Sequence, residues 1–170
     1  GDAITVNLTP LGHFDIPVAP AFTLPTNGRI SAITFHPDDP DIIYIGTPLG
    51  GAWKTTNGGA SWVNMNTDAI TALGVSAIAV DPITPEVIFI GMGDRDNGQT
   101  NGDGIYKSYD GGNTWMHISF NFSEKLIVHK LIIHPDVHKD MVAATSHGVF
   151  TSANFGLSWT RANGIEAWVY

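Results

Sequence analysis

The sequence predicts an all-β chain, a β-propeller fragment of about three four-stranded blades. Three observations predict this fold: a short turn signature occurs three times, each copy follows a Gly-x-aromatic step, and the linkers between copies are equal in length. The composition agrees, because 19 Gly and 10 Pro among 170 residues leave no segment with a clear helical period. Repeats of this length are typical of modules that stack side by side and share a core.

The turn signature has the form Ser/Thr-x-Asp/Asn-x-Gly-x-Ser/Thr-Trp, and its copies read TTNGGASW, SYDGGNTW and SANFGLSW. In each copy the Asp or Asn is expected to accept backbone hydrogen bonds, and the glycine permits a positive φ. The hydroxyl is expected to bond back to the turn, and the tryptophan to be buried beside it. The structural residues predicted in this way are Thr55, Asn57, Gly59, Ser61, Trp62, Ser108, Asp110, Gly112, Thr114, Trp115, Ser152, Asn154, Gly156, Ser158 and Trp159.

Each signature belongs to a longer unit that opens with an apolar segment ending in His-Pro or Asp-Pro. Trp62 lies 19 positions before Asp81, and Trp115 lies 19 positions before His134. Two apolar runs, the Gly-x-aromatic step and the segment after the tryptophan give four short strands per unit. The signature is therefore predicted to be a hairpin between the third and fourth strands.

The spacing also predicts how the chain is divided. An N-terminal strand and lead-in occupy 1–27, three blades occupy 28–66, 67–121 and 122–163, and a truncated next blade begins at 164–170. Propellers close with about 4–8 blades, so we expect the remaining blades to belong to a larger parent protein. Exposed blade faces are expected to favour self-association.

Composition excludes several classes of partner. The net charge is −8 and the eight Lys and Arg residues are scattered, which is not the footprint of a nucleic-acid-binding protein. The apolar runs are far shorter than the ~20 residues that span a bilayer, so no membrane partner is expected. The absence of cysteine excludes disulfides and cysteine-ligated metals.

The second unit carries an additional polar stretch at Asp94–Asp103. Its carboxylates at Asp94, Asp96 and Asp103 are hard oxygen ligands of the kind that calcium prefers, but the stretch lacks the spaced Glu of an EF-hand loop. We interpret it as a solvated loop, so that no cofactor is expected, and calcium is the alternative.

Histidines in the third unit and just before it raise the question of a zinc site. A zinc site needs convergent ligands with an orienting second shell, which sequence spacing does not supply here. His134 aligns with His36 and Asp81, so this position is expected to shape a turn in each blade. The histidines considered are His117, His129, His134, His138 and His147.

The repeat resembles the Asp-box, or BNR, repeat of sialidases, xyloglucan-cleaving glycosidases, sortilin-type receptors and many secreted bacterial propellers. The resemblance covers about Gly28 to Arg161, and the second copy matches the motif strictly. The run from residue 28 to 62 is most similar to the xyloglucan-cleaving glycosidases and to bacterial propellers exported by the type IX route. The resemblance implies a secreted or cell-surface protein and a structural role for the boxes.

The resemblance also implies where catalytic groups would stand. In the xyloglucan-cleaving enzymes a catalytic Asp precedes the Gly-Gly-x-aromatic segment by two positions, and here that position is Pro48. A proline cannot act as a general base. Sialidases use an arginine triad, whereas this chain has Arg29, Arg95 and Arg161 and lacks the Arg-Ile/Leu-Pro opening of that family. No catalytic residue is therefore assigned, and Arg29 and Arg95 remain candidate ligand-facing residues.

Two hypotheses for function follow. The first is a non-catalytic extracellular propeller segment that serves as a scaffold or as a binding module for protein or carbohydrate. The alternative is part of a glycoside hydrolase, xyloglucanase-like or sialidase-like, with catalytic residues partly outside this chain.

Overall fold

The computed structural model describes residues 29–70, 74–94, 102–120 and 125–163. The lead-in predicted at 1–27 and the partial blade predicted at 164–170 lie outside the described residues. Within them the chain forms three four-stranded antiparallel sheets, each with its strands in chain order. Across these ranges, no helix is long and apolar enough to cross a membrane.

The strands follow the predicted units. Blade 1 contains β1 (Ala32–Phe35), β2 (Ile43–Gly46), β3 (Ala52–Thr55) and β4 (Val63–Asn64), and a 3-10 turn at Thr67–Ala69 leads out of it. Blade 2 contains β5 (Val75–Val80), β6 (Ile88–Met92), β7 (Ile105–Ser108) and β8 (Met116–Ile118). Blade 3 contains β9 (Val128–Ile133), β10 (Met141–Thr145), β11 (Gly148–Ser152) and β12 (Thr160–Arg161).

This arrangement confirms the predicted all-β propeller fragment. Each turn signature joins the third and fourth strands of its sheet, as the repeat predicts. The extra polar stretch of the second unit falls between β6 and β7, so the insertion extends one connection and leaves the four-strand unit intact.

The blades bury their apolar side chains against one another. One core joins Tyr44 and Met65 of blade 1 to Ile78 and Ile90 of blade 2. A second core joins blade 2 to blade 3, with Phe89, Ile105, Leu131, Met141 and Phe150 among its members. We call the side of a blade that faces the blade before it the leading face, and the opposite side the trailing face. Both cores are thus formed by a trailing face and the next leading face.

The inner strands of consecutive blades approach very closely. A methyl group added to Gly46 would lie 2.6 Å from the carbonyl oxygen of Val75, and one added to Gly91 would lie 2.6 Å from Cγ1 of Val128. These distances leave no room for a side chain. The hydroxyls of Ser31 and Ser76 complete the contact, because each donates a 2.6 Å hydrogen bond to the carbonyl oxygen of the same valine in the next blade.

A buried lysine holds blades 2 and 3 together nearer the signature turns. Lys107 is only 1% exposed, and its Nζ donates a 2.8 Å hydrogen bond to the carbonyl oxygen of Phe155. The ammonium lies 3.8 Å from the ring centroid of Phe155 and 4.9 Å from that of Phe89. Cation–π attraction is strongest for such a desolvated ammonium, so the rings and the carbonyl stabilise a charge that would otherwise be costly to bury.

Phe155 adopts an unusual backbone conformation to reach this position. Its φ is 59°, whereas the corresponding positions in the other two signatures are Gly58 and Gly111 with φ of 64° and 70°. A side chain in the left-handed region costs about 1–2 kcal/mol. The ring contacts of Phe155 with Phe89 and His138, at centroid distances of 5.6 and 4.8 Å, offset that cost.

We expect the Gly91→Ala substitution to destabilise the protein by about 1–3 kcal/mol, because the added methyl group overlaps Val128. The matched control is Ala144→Gly, which changes the equivalent position of blade 3 and is expected to cost less than about 1 kcal/mol. Urea unfolding followed by circular dichroism measures both. Equal stabilities for Gly91→Ala and the wild type would show that the close approach is not required.

Replacing Phe155 with glycine removes the backbone strain together with the ring. We expect a net destabilisation of about 1–4 kcal/mol, because losing a packed aromatic side chain costs about 3–5 kcal/mol and relief of strain returns about 1–2 kcal/mol of it. Thermal unfolding of Phe155→Gly measures the difference between the lost ring contacts and the relieved backbone strain. A variant as stable as the wild type would mean that the ring contacts of Phe155 contribute no more than the backbone strain costs.

Candidate functional site

The antiparallel order of the strands places two sets of connections on one side of the arc. These are the connections between the second and third strands of each blade and those from one blade to the next. We call this side the loop face, and the side that carries the turn signatures the signature face. Binding residues are concentrated on loops held by a rigid scaffold, so the loop face is the candidate functional site.

Backbone contacts fix the loops of blades 1 and 2 relative to each other. The amide of Val75 donates to the carbonyl oxygen of Thr47 at 2.9 Å, and the amide of Gly93 donates to that of Gly74 at 2.9 Å. A methyl group on Gly74 would lie 2.8 Å from the carbonyl oxygens of both Pro48 and Gly93. The inner part of the loop face is therefore closely packed backbone.

Pro48, at the position where the resemblance implies a catalytic Asp, is buried within this packed region. The next residue, Leu49, points outward and is 69% exposed. The geometry therefore places a rigid backbone and an apolar side chain where an acid would be needed. Acid–base chemistry at this position is not available to this chain.

Arg29 and Asp94 form an ion pair that links the start of β1 to the end of β6. Arg29 NH2 contacts Oδ1 of Asp94, and the carboxylate side chain is only 7% exposed whereas the guanidinium is 41% exposed. The predicted ligand-facing residue Arg29 is thus on the loop face, but its charge is already partnered. Arg95, the other predicted residue of this kind, lies outside the described residues.

Asp103 belongs to a second polar group at the outer part of the loop face. The phenol of Tyr106 donates a 2.7 Å hydrogen bond to Oδ2 of Asp103, and burial together with this contact raises the pKa of Tyr106 well above its usual value. Nε2 of His117 lies 2.6 Å from the carbonyl oxygen of Asp103. A carbonyl only accepts, so this contact places a proton on Nε2.

The two predicted calcium ligands that lie in the described residues each contact another side chain. Asp94 pairs with Arg29, whose positive charge opposes a bound cation, and Asp103 accepts from Tyr106. Asp96 lies outside the described residues, and within the described ranges no three metal-ligating side chains converge. Calcium at this loop stays the untested alternative to a solvated loop.

The histidines considered for zinc lie in different settings. His134 Nδ1 accepts a hydrogen bond from the amide of Val137 at 3.0 Å, and His36 Nδ1 accepts one from the amide of Asp38 at 3.2 Å. In blade 2 the carboxylate of Asp81 accepts from the amide of Ile83 at 2.8 Å. This position therefore shapes a turn in every blade, as the alignment predicts. His138 instead contacts Asp81 across the blade boundary, with Nδ1 and Oδ2 separated by 2.8 Å.

The three signature turns share one hydrogen-bond pattern. In blade 2, Ser108 Oγ donates to Asp110 Oδ1 at 2.8 Å and accepts from the amide of Gly112 at 2.9 Å. Asp110 Oδ1 also accepts from the amide of Thr114 at 2.8 Å. The corresponding bonds of the other turns, formed by Thr55, Asn57, Gly59 and Ser61 and by Ser152, Asn154, Gly156 and Ser158, measure 2.9 to 3.0 Å.

The signature tryptophans differ more than their sequence suggests. Trp159 is buried, with 8% of its surface exposed, whereas Trp62 and Trp115 are only partly buried. Trp62 and Trp159 donate to the carbonyl oxygens of Gly59 and Gly156 in their own turns. Trp115 instead donates to Met65 of blade 1 at 2.7 Å, so the same residue type serves the interface between blades.

The Asp110 turn should make the thermal stability of the protein depend on pH in the acidic range. Hydrogen bonds from Thr114 and Ser108 lower the pKa of Asp110 from 3.8 to about 2. A lowered pKa contributes stability that is complete above the ordinary value and is lost as pH falls through the lowered one. We expect Asp110→Asn, which copies the asparagine of the other two turns, to lose less thermal stability than the wild type between pH 4 and pH 2. Melting curves across that range measure this, and equal losses would contradict the assignment.

Comparisons with known proteins place this geometry among propeller enzymes. A xyloglucanase from Paenibacillus sp is 25% identical over 151 residues, which is 81% of this chain and 15% of the relative. The crystal structure of an ancestral GH74 enzyme superposes with a TM-score of 0.68 at 25% identity, covering 80% of this chain and 18% of that one. YCF48 bound to a D1 peptide superposes with a TM-score of 0.57 at 15% identity, over 81% of this chain and 42% of that one. No family model matches the chain.

These similarities support a propeller fold and relate the chain to xyloglucanases. The chain spans about 15% of the length of the curated relative that it matches. YCF48, at 15% identity, supports the fold alone. The finer assignments to Asp-box, sortilin-like and type IX proteins remain predictions.

Proposed function

We propose that this chain is a three-blade segment of a xyloglucanase-like propeller, and that it helps to form the polysaccharide-binding loop face without supplying the acid expected at position 48. The observation that carries the proposal is the similarity to xyloglucanases over 81% of the chain. The protein of which it is part is then a secreted or cell-surface glycoside hydrolase. This is the alternative among the two sequence-based hypotheses.

The geometry of the loop face supports a binding role for this segment. The described carboxylates on its connections are Asp68, Asp94 and Asp103, and each accepts from a neighbouring side chain: Asn64, Arg29 and Tyr106 respectively. Hydrolysis of a glycosidic bond needs an acid and a base or nucleophile placed on either side of that bond. The segment therefore contributes shape and contacts, and the catalytic pair is supplied by other blades.

A specific observation also supports the non-catalytic binding module as a second candidate. Pro48 removes the acid that the resemblance implies, and Leu49 beside it is exposed on the loop face. An apolar side chain next to fixed backbone suits the ring faces of a sugar chain or an apolar peptide. The two candidates differ in whether other blades of the protein supply a catalytic pair.

Affinity gel electrophoresis in xyloglucan tests the proposal on the 170-residue chain. We expect migration to be retarded in xyloglucan but not in dextran. Leu49→Ser should lose most of the retardation, because Leu49 is 69% exposed on the loop face. The matched control is Leu157→Ser, since Leu157 is 56% exposed on the signature face and should bind as the wild type does.

Two outcomes would contradict the proposal. Equal migration in xyloglucan and dextran would show that the loop face does not bind xyloglucan specifically. Release of reducing sugar by the chain, abolished by Asp94→Asn or Asp103→Asn, would show that the segment carries catalytic groups of its own.

A further inference from the structure

The aromatic residue of the Gly-x-aromatic step lies near the start of the third strand of every blade, close to the loop face. It is Trp53 in blade 1, Tyr106 in blade 2 and Phe150 in blade 3. The strand register shows that these positions are equivalent, because each pairs with the second residue after the signature tryptophan, which is Asn64, His117 or Arg161. The repeat therefore places one aromatic side chain beside each loop that enters a third strand.

In blades 1 and 2 the polar end of this side chain bonds to the residue three positions earlier, within that loop. Nε1 of Trp53 donates a 2.7 Å hydrogen bond to the carbonyl oxygen of Gly50. The phenol of Tyr106 donates a 2.7 Å hydrogen bond to Oδ2 of Asp103. An indole in one blade and a phenol in the other thus make the same connection, which fixes the end of the loop to the strand.

Blade 3 lacks both the polar end and a long loop. Its second and third strands are joined by residues 146–147, whereas the connections of blades 1 and 2 run over 47–51 and 93–104. The side chain of Phe150 has no polar atom, and its ring packs edge-on against Phe120 of blade 2 at a centroid distance of 5.0 Å. A polar aromatic residue therefore accompanies the two longer connections, and the tight turn has an apolar one.

The loop of blade 1 holds an exposed leucine on a fixed backbone. Oγ1 of Thr47 accepts from the amide of Gly50 at 2.8 Å and donates to the carbonyl oxygen of Gly51 at 3.1 Å. Because Trp53 bonds to the carbonyl oxygen of Gly50, this glycine is held at both its amide and its carbonyl. Leu49, directly before it, is 69% exposed. A group that is fixed before a ligand arrives loses less conformational entropy on binding.

The loop of blade 2 holds a carboxylate in a similar way. Asp103 is bonded at two points, because Tyr106 donates to its Oδ2 and His117 Nε2 donates to its carbonyl oxygen. The rings of Tyr106 and His117 also contact each other at a centroid distance of 4.9 Å. The other carboxylate oxygen, Oδ1, is 3.8 Å from Nε2 of His117, and the side chain is 48% exposed. Oδ1 is therefore an oriented acceptor for a hydroxyl group of a ligand.

We propose that Trp53 and Tyr106 are positioning residues of the loop face for a neutral sugar chain. Trp53 holds the loop that presents Leu49 to the face of a sugar ring. Tyr106 orients the carboxylate of Asp103, whose Oδ1 accepts from a sugar hydroxyl. Neither aromatic side chain has to touch the sugar. These roles rest on the proposed function, from which the sugar chain is taken.

Substitutions that remove only the polar end of the aromatic side chain test these roles. Trp53→Phe removes the Nε1 donor, and Tyr106→Phe removes the phenol. The matched control is Trp62→Phe, because Nε1 of Trp62 also donates to a glycine carbonyl three positions earlier, that of Gly59 at 3.1 Å, but on the signature face. Each variant is first shown to unfold cooperatively, and Tyr106→Phe carries the test if Trp53→Phe does not. Binding is measured by affinity gel electrophoresis in xyloglucan.

We expect Trp53→Phe and Tyr106→Phe to bind xyloglucan at least about threefold more weakly than the wild type, because each loses a hydrogen bond that holds a binding group. Trp62→Phe should bind as the wild type does. Adding Tyr106→Phe to Asp103→Ala should weaken binding no further than Asp103→Ala alone, since Tyr106 acts through Asp103. A residue that only stabilised the fold would not show this dependence.

Hydrogen exchange followed by NMR tests the loop of blade 1 without polysaccharide. The amide of Gly50 should exchange at least about threefold faster in Trp53→Phe than in Trp62→Phe, because the loop then opens more often. Unchanged exchange at Gly50, or unchanged xyloglucan binding by Trp53→Phe and Tyr106→Phe while Leu49→Ser loses it, would overturn the positioning roles alone. A wild-type chain that xyloglucan does not retard would instead contradict the proposed function, and with it the ligand assigned here.

Discussion

The close approach of inner strands from consecutive blades is the constraint on which the rest of the structure depends. Gly46 and Gly91 leave no space for a side chain, so the first strand of the next blade lies directly against the second strand of the one before it. This contact sets the distance at which the apolar faces meet. It is a steric condition, and it explains why small residues recur at the inner end of a repeat that is otherwise rich in Ile and Val.

The outer part of each interface is more variable because it is filled by turns instead of strands. Lys107 is buried by Phe155 in the turn of blade 3, whereas its counterpart Lys54 is only half-buried and faces Gly111 of blade 2. A strained phenylalanine is tolerated at this position because its ring lies 3.8 Å from the ammonium of Lys107, closer than the rings of Phe89 and Tyr109 at 4.9 and 4.5 Å. The repeat thus allows different side-chain solutions at the rim while the inner contact stays nearly constant.

Much of the fold could be predicted from the sequence, and little of the site. The signature positions and the Pro-containing turns encode local hydrogen bonds, and local bonds such as those of Asp110 and His134 depend on spacing alone. Contacts between blades are long-range and were not visible in the pattern. Trp115, which bonds to Met65, and Arg29, which pairs with Asp94, both find partners that the repeat does not specify.

The difference between local and long-range contacts also governs what can be inferred about function. Pro48 could be recognised from the sequence because the resemblance supplies the position of an acid, and the structure adds that this position is buried under Gly74. Restoring an aspartate there would supply only one of the two carboxylates that hydrolysis of a glycosidic bond needs. Under the proposed function, the segment therefore contributes the precise placing of the loop face. That placing is determined by the glycine contacts between blades, so binding and stability depend on the same few residues.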